Sequence, residues 1–113
     1  MSESLPVLRG TLDLLVLKAL SSTPMHGFEV TSWLEERSGG ALGLEDSAIY
    51  QALYRMERRG WVEAEWGVTE NNRRARYYGV TAAGRAHLEA ETARLLRYAD
   101  VVAGILTAAP GAA

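Results

Sequence analysis

The sequence predicts a mainly α-helical fold with one small β-hairpin, and three observations support that class. Apolar residues recur with helical spacing in three segments of the first sixty residues. Apolar and polar residues then alternate in two short segments on either side of a polar loop. A last segment, residues 82–107, returns to helical spacing. With 113 residues, the chain has the length of one ordinary domain.

The first helix is predicted over residues 10–21, "GTLDLLVLKALS". Apolar residues fall at i, i+3, i+4, i+7 and i+8, and others occupy further faces, so the helix should be buried on more than one side. A second helix is predicted over residues 25–38, with Pro24 at or just before its start and Gly39-Gly40 ending it. We expect its core-facing residues to be Phe28, Val30, Trp33 and Leu34.

The third helix follows the link "ALGLED". Asp46 or Ser47 can cap it, and Gly60 stops it. Its buried stripe is predicted at Ile49, Ala52, Leu53 and Met56. The opposite face is polar, aromatic and basic, and unusually free of acids, with Ser47, Ala48, Gln51, Tyr54, Arg55 and Arg58, and Tyr50 at its boundary.

The alternating segments "WVEAEW" and "RYYGVT" predict a β-hairpin. The loop "GVTENNRRA" between them is longer than a tight turn, so the tip should project. Arg73 and Arg74 lie on this tip. Arg76 begins the second strand, where it either contacts a ligand or pairs with Glu63 or Glu65.

The last helix, residues 82–107, can be capped by Thr81. It carries a short seam spaced 4, 3, 4, 3, 4, formed by Leu88, Thr92, Leu95, Ala99, Val102 and Leu106. The helix either packs on its own domain or pairs with another chain. We favour pairing, because few residues follow the helix to cover it.

Composition excludes several classes of protein. The chain is 48% apolar and 23% charged, which is normal for a globular protein, and it has no cysteine for disulfides or thiolate metal sites. The start "MSESLPVLRG" does not resemble a signal peptide, and the longest apolar run is too short to span a bilayer. We expect a cytoplasmic protein. The net charge of −2 argues against indiscriminate nucleic-acid coating but allows a local basic patch.

The order helix, helix, helix, strand, loop, strand, long helix is that of a winged helix-turn-helix protein. In that arrangement the third helix can enter a DNA major groove, about 12 Å wide, while the hairpin contacts the flanking backbone or minor groove. The motifs "LRGTLDLLVLKAL", "PMHGFEV", "SAIYQALYRMERRGWVEAEW" and "NNRRARYYGVTAAGRAHL" occur in order over about residues 8–88. On these motifs the chain resembles a short PadR-type transcriptional regulator.

The resemblance implies a homodimer formed through the C-terminal helix and a pseudo-palindromic DNA operator. It also implies repression, with release by a small aromatic or hydrophobic effector in some members. The family often has proline after the tyrosine of the third helix, where this chain has Gln51, so an operator cannot be carried over from a relative. Glutamine adds a side chain able to pair with adenine.

We therefore predict a winged helix-turn-helix DNA-binding domain over residues 8–81, a dimerisation helix over 82–107, and flexible ends at 1–7 and 108–113. The candidate DNA-binding residues are Ser47, Tyr50, Gln51, Tyr54, Arg55, Asn72, Arg73 and Arg74. Two roles are open for Tyr50: a hydrogen bond to a phosphate, or closure of the core. The candidate dimerisation residues are Leu88, Leu95, Ala99, Val102 and Leu106.

Trp33 and Tyr98 are candidates to line an effector cavity near the dimer interface, the alternative being that such aromatics only pack. His26 and His87 are expected to be structural, and we predict no metal, no cofactor and no enzymatic activity. The predicted function is sequence-specific DNA binding by a repressor that a small molecule releases. The alternative is a winged-helix module that binds another protein and makes no DNA contact.

Overall fold

The computed structural model describes residues 5–8 and 10–111 and contains four helices and one antiparallel hairpin. The elements are α1 (Leu12–Leu20), α2 (Gly27–Ser38), α3 (Asp46–Arg58), β1 (Val62–Val68), β2 (Arg74–Val80) and α4 (Ala82–Leu106). The predicted mainly α class with a small hairpin is confirmed. Of the ends predicted to be flexible, residues 1–4 and 112–113 lie outside the described residues. Leu5 is paired with the segment before α3, since its N–H donates to the Ala41 carbonyl at 2.6 Å.

The core lies where α1, α2 and α3 meet the base of the hairpin. α1 is buried on more than one side, as its sequence predicts. The predicted stripe of α3 is fully enclosed, with Ile49, Ala52, Leu53 and Met56 at 0% exposure. Tyr78 of β2 and Val62 of β1 close the core from the hairpin side.

Two apolar residues do not lie where the periodicity places them. Phe28 is predicted to face the core but is 62% exposed, because α2 turns its Val30 and Leu34 side inward. Trp66 continues the alternation of β1 but is 59% exposed, because the hairpin has by then projected beyond the helices. Trp33 is half-buried and packs against the edge of the core.

The helix ends follow the sequence signals except at α3. Gly39 ends α2 in the left-handed region, with φ 63°, and the Thr81 hydroxyl accepts the Gly84 N–H at 3.0 Å at the start of α4. The prediction that Asp46 or Ser47 caps α3 is wrong, because the helix begins one residue earlier than expected. Glu45 holds the cap position, and its side chain makes no capping hydrogen bond.

The strands are longer than predicted and the loop is shorter. β1 and β2 pair from Val62 opposite Val80 to Val68 opposite Arg74, which leaves only residues 69–73 as the loop. The Asn72 N–H donates to the Thr69 carbonyl, and Asn72 has φ 61°. Because the Thr69 N–H also donates to the Arg73 carbonyl, residues 70–72 form a three-residue connection with one left-handed residue, a common hairpin type, and asparagine tolerates that conformation. Gly67 weakens the strand signal in the sequence, so local preference does not predict the pairing beyond Trp66.

α4 has 25 residues, and its first half packs against the rest of the described chain. An open groove of about 590 Å³ runs between α1 and α4, lined by Leu14, Leu15, Lys18, Leu88, Glu89, Thr92, Ala93, Leu95 and Leu96. The second half of α4 projects, and it carries apolar side chains that are more than half exposed: Leu96, Tyr98, Val101, Ile105 and Leu106.

Candidate nucleic-acid interface

The outward face of α3 is a line of four exposed residues at positions i, i+4, i+7 and i+11. We call Ser47, Gln51, Tyr54 and Arg58 the α3 ridge. The ridge lies opposite the buried stripe, contains no acid, and combines hydroxyl, amide, phenol and guanidinium groups. Arg58 is absent from the predicted DNA-binding set although it shares the helical spacing of the other three, so the spacing alone could have found it. Among the described residues, no carboxylate oxygen lies within 4.0 Å of the Arg58 guanidinium.

Tyr50 lies on the flank of α3 that faces α2. Its ring packs on Gly27, where a Cβ atom would fall 2.5 Å from the ring carbons and 2.9 Å from the phenolic oxygen. Burial raises the pKa of Tyr50, and the charge of Asp46 raises it further. Of the two roles left open by the sequence, the packing role therefore has a structural basis, while the ring edge stays partly exposed.

Arg55 lies on the opposite flank of α3, against α1. Its Nη2 donates to Asp13 Oδ1 at 2.8 Å, and the second carboxylate oxygen of Asp13 lies 4.0 Å from Arg59 Nη1. Asp13 is 19% exposed and Arg55 is 39% exposed, so the pair lies at the edge of the surface. This contact leaves no local signal in the sequence, because the two residues are 42 positions apart.

Of the roles left open for Arg76, pairing with Glu63 or Glu65 is wrong, because the glutamate that it contacts is Glu57. Its Nη2 donates to Glu57 Oε2 at 2.7 Å, which joins β2 to the C-terminal half of α3. This hydrogen bond raises the pKa of the Arg76 guanidinium. The strand places Arg76 on the face opposite to Glu63 and Glu65, because side chains alternate along a strand.

The two faces of the hairpin differ in charge. The inner face continues from the Arg76–Glu57 contact toward the tip and carries Trp66, Val68 and Arg74. The Arg74 guanidinium lies over the Trp66 ring, 4.5 Å from its centroid. The outer face carries Glu63 and Glu65, both exposed. The hairpin thus presents cations toward the side of α3 and acids away from it.

The tip of the hairpin holds Arg73 in an exposed position. The Arg73 N–H donates to the Thr69 hydroxyl at 3.2 Å, and the Thr69 N–H donates to the Arg73 carbonyl at 2.8 Å. These bonds order the backbone and leave the Arg73 side chain exposed. Asn71 and Asn72 are exposed beside it. Arg74 differs from Arg73, since it is the first residue of β2 and stacks on Trp66.

Trp33 and Tyr98 are not brought together. Trp33 borders a shallow surface depression on α2, with the Arg37 guanidinium 4.9 Å from its ring centroid. Tyr98 is exposed on the projecting half of α4. The groove between α1 and α4 is larger than this depression and mainly apolar, and neither Trp33 nor Tyr98 lines it.

Both histidines have packing or capping contacts. The Glu29 N–H donates to His26 Nδ1 at 3.2 Å, and the His26 N–H donates to the Glu29 carboxylate, which together cap α2. His87 of α4 stacks on Trp61 with ring centroids 3.7 Å apart. Across residues 5–8 and 10–111, no three His, Asp or Glu side chains are grouped as metal ligands would be. Within those same ranges, no helix is both long and apolar enough to cross a membrane.

Comparison with known proteins then identifies the family. The model of the transcriptional regulator PadR-like family matches residues 16–90, which is more than half of the chain. The chain belongs to the PadR-like transcriptional regulator family. The PadR-family match covers α1 from Val16, the whole of α2 and α3, the hairpin, and the start of α4.

Solved structures share the PadR fold over nearly the whole chain. The protein TA0346 of Thermoplasma acidophilum is 31% identical, with a TM-score of 0.72 over 88% of this chain and 94% of its own. A PadR-family transcriptional regulator of Eggerthella lenta is 27% identical, with a TM-score of 0.77 over 89% and 86%. The PadR-like regulator BC4206 of Bacillus cereus is 22% identical, with a TM-score of 0.77 over 90% and 97%, and so supports the fold.

A curated relative is longer than this chain. A 37.1 kDa protein in transposon Tn4556 of Streptomyces fradiae is 36% identical over 85 residues, which are 75% of this chain and 23% of that protein. The family is one of transcriptional regulators, and the winged-helix, DNA-binding character of this PadR-family chain follows from membership.

Proposed function

We propose that the protein is a homodimeric, sequence-specific DNA-binding repressor that a small hydrophobic molecule releases. The observation that supports DNA reading best is the α3 ridge, an exposed, acid-free line of groups that can form hydrogen bonds with base edges and phosphates. Gln51 offers the amide that pairs with adenine, and Arg58 offers the fork that pairs with guanine or phosphate.

The hairpin adds phosphate contacts beside the ridge. Arg73 is exposed at the tip, and Arg74 is held in place over Trp66 on the inner face. A stacked guanidinium loses less side-chain freedom on binding than a free one. The acids at Glu63 and Glu65 lie on the outer face, so the negative average of the chain does not oppose DNA at this surface.

The projecting half of α4 supports pairing with a second copy. Five large apolar side chains are exposed there, and a monomer gains nothing from exposing them together. They include Leu96, Tyr98, Val101 and Ile105, which are absent from the predicted seam. The spacing of Tyr98, Val101 and Ile105 at i, i+3 and i+7 is the signal that could have found them.

A two-fold dimer would place two α3 ridges on successive major-groove faces, about 34–36 Å apart. The groove between α1 and α4 is large enough for a drug-sized molecule, since its volume of about 590 Å³ lies in the range of ligand pockets. A hydrophobic molecule there would contact both α1 and α4, and α4 is the helix of the proposed dimer interface. It would thereby change the distance between the two ridges.

Selection from a random duplex library, followed by footprinting of the enriched sequence, tests the proposal. We expect a pseudo-palindrome whose binding weakens steeply with salt. Arg58→Ala and Arg73→Ala should each weaken binding, and loss of a phosphate contact should lower the salt slope by about 1. Arg97→Ala is the matched control, because Arg97 is an exposed arginine on α4 and belongs to neither the ridge nor the hairpin.

Three outcomes would contradict parts of the proposal. If the wild type prefers no duplex over random sequence at moderate salt, the repressor proposal fails and the protein-binding module takes its place. If Leu95→Glu leaves the protein a dimer in sedimentation, α4 is not the dimer interface. The effector proposal fails if hydrophobic compounds that bind the protein leave its affinity for the selected duplex unchanged.

A further inference from the structure

A charged cluster that belongs to neither the α3 ridge nor the hairpin joins α1 to the flank of α3. It consists of Asp13 of α1, Arg55 of α3 and Arg59, which follows α3. Among the described residues, Asp13 is the sole carboxylate within 4.0 Å of either guanidinium. The three side chains therefore carry a net charge of +1 at neutral pH, and the cluster can attract an anion.

The contact between Asp13 and Arg55 uses little of the hydrogen-bonding capacity of the arginine. One Nη2–H donates to one carboxylate oxygen, while a guanidinium has five N–H donors. The other carboxylate oxygen is turned toward Arg59 at 4.0 Å. Among the described residues, Asp13 is the one hydrogen-bond acceptor of the Arg55 guanidinium, whose side chain is 39% exposed.

Asp13 itself is in a rigid setting. It lies in the first turn of α1, a helix whose Val16 and Leu17 are fully buried. On the other side, Arg59 lies over Trp61, with its Cζ atom 5.2 Å from the ring centroid. A carboxylate fixed in this way restricts the rotamers of Arg55, and an arginine that is already ordered loses less entropy when it binds a phosphate.

We propose that Asp13 is a positioning residue for DNA binding, which holds the Arg55 guanidinium so that its free N–H groups meet a phosphate beside the α3 ridge. The inference rests on the proposed function, because it requires α3 to face DNA. Asp13 makes no DNA contact of its own. Its carboxylate would repel DNA if it were not neutralised, so its useful effect must pass through Arg55.

The test is a double-mutant cycle with Asp13→Asn, Arg55→Gln and the double variant, using the duplex that the wild type selects. Arg55→Gln should weaken binding about tenfold and lower the salt slope by about 1. Asp13→Asn should weaken binding about 3- to 10-fold in the wild-type background. In the Arg55→Gln background, Asp13→Asn should cause no weakening. Asp13→Glu should recover part of the affinity, since it keeps the carboxylate.

Glu63→Gln is the control for loss of one negative charge, and it should leave binding unchanged or slightly stronger. Thermal unfolding of every variant separates folding from binding. Equal weakening by Asp13→Asn in both backgrounds would show a structural role only and overturn the inference. Tighter binding by Asp13→Asn would also overturn it, because Asp13 would then compete with DNA for Arg55. A wild type that selects no duplex overturns the proposed function and this inference together, which distinguishes that failure from the other two.

Discussion

Among the described glycines, Gly84 of α4 is the one at which an added methyl group should lower the stability of the fold most. A Cβ there would lie 2.8 Å from Val80 Cγ2 and 2.9 Å from the Trp61 carbonyl carbon, and closer still to the Trp61 oxygen. That oxygen accepts the Thr81 N–H at 3.0 Å, so it cannot retreat without breaking the bond that precedes α4. The clash is with backbone, which cannot rotate away as a side chain can.

The expected change in the free energy of unfolding combines two destabilising effects and one stabilising effect. Overpacking at such a contact destabilises a protein by about 1–3 kcal/mol. Weakening the Thr81 hydrogen bond adds about 0.5–1.5 kcal/mol. Alanine favours the helix over glycine by about 0.8–1.0 kcal/mol, which offsets part of the loss. Gly84→Ala should therefore lower the free energy of unfolding by about 1–3 kcal/mol.

Gly104 provides a matched control in the same helix. Among residues 5–8 and 10–111, no atom outside the helix's own backbone and the two neighbouring residues lies within 4 Å of a Cβ at that position, so Gly104→Ala keeps the propensity gain without a clash within the protomer. It should raise stability by up to about 1 kcal/mol. Urea unfolding at one protomer concentration measures both variants, and thermal midpoints should shift in opposite directions, by roughly 4 °C for each kcal/mol. Equal stabilisation by the two substitutions would refute the close packing of α4 on the turn at Trp61.

Three further predictions concern the cap of α4, the hairpin tip and the core. Thr81→Ala should lower the free energy of unfolding by about 1–2 kcal/mol, because the hydroxyl accepts from the Gly84 N–H and donates to the Gly60 carbonyl. Thr81→Ser keeps the hydroxyl and should retain most of the wild-type stability, and urea unfolding measures both variants. Asn72 has φ 61°, so Asn72→Gly should change the free energy of unfolding by less than about 0.5 kcal/mol, whereas Asn72→Val should lower it by about 1–2 kcal/mol. Equal thermal unfolding midpoints for the two variants would contradict the left-handed conformation at the tip. Burial raises the pKa of Tyr78 above the ordinary tyrosine value of 10.0, so the folded state holds that proton more tightly than the unfolded chain. The contribution of this group to the free energy of unfolding should be fully present below about pH 10 and be lost as pH rises toward the folded pKa. The loss of stability due to Tyr78 should be absent in Tyr78→Phe.

The helices and their buried faces could be predicted because they depend on local spacing. The stripe from Ile49 to Met56 is an example, since a period of 3.6 determines which side chains share a face. The strand ends could not be predicted so well. Gly67 and the polar tip hide the pairing of Val68 with Arg74, which depends on a partner strand rather than on local preference.

The partners of the arginines are the part of the site that the sequence could not reveal. Arg55 reaches Asp13 across 42 positions, and Arg76 reaches Glu57 across 19. A charge pattern read along the chain places Arg76 near Glu63 and Glu65, while the strand turns it to the other face. By contrast, the exposure of Gln51 and Tyr54 follows from their position opposite the buried stripe, and helical periodicity is enough to find it.

The start of α4 is joined to the end of α3, and this has a consequence for the proposed dimer. The Thr81 hydroxyl donates to the Gly60 carbonyl at 2.7 Å, and His87 stacks on Trp61 in the same turn. Gly84 lets the two backbones approach too closely for any side chain. A rotation of α4 must therefore carry the C-terminal end of α3 with it rather than bend the junction. If α4 pairs with a second copy, the angle between the two α4 helices determines the distance between the two ridges. The half-site spacing of the selected duplex then reports the dimer geometry directly.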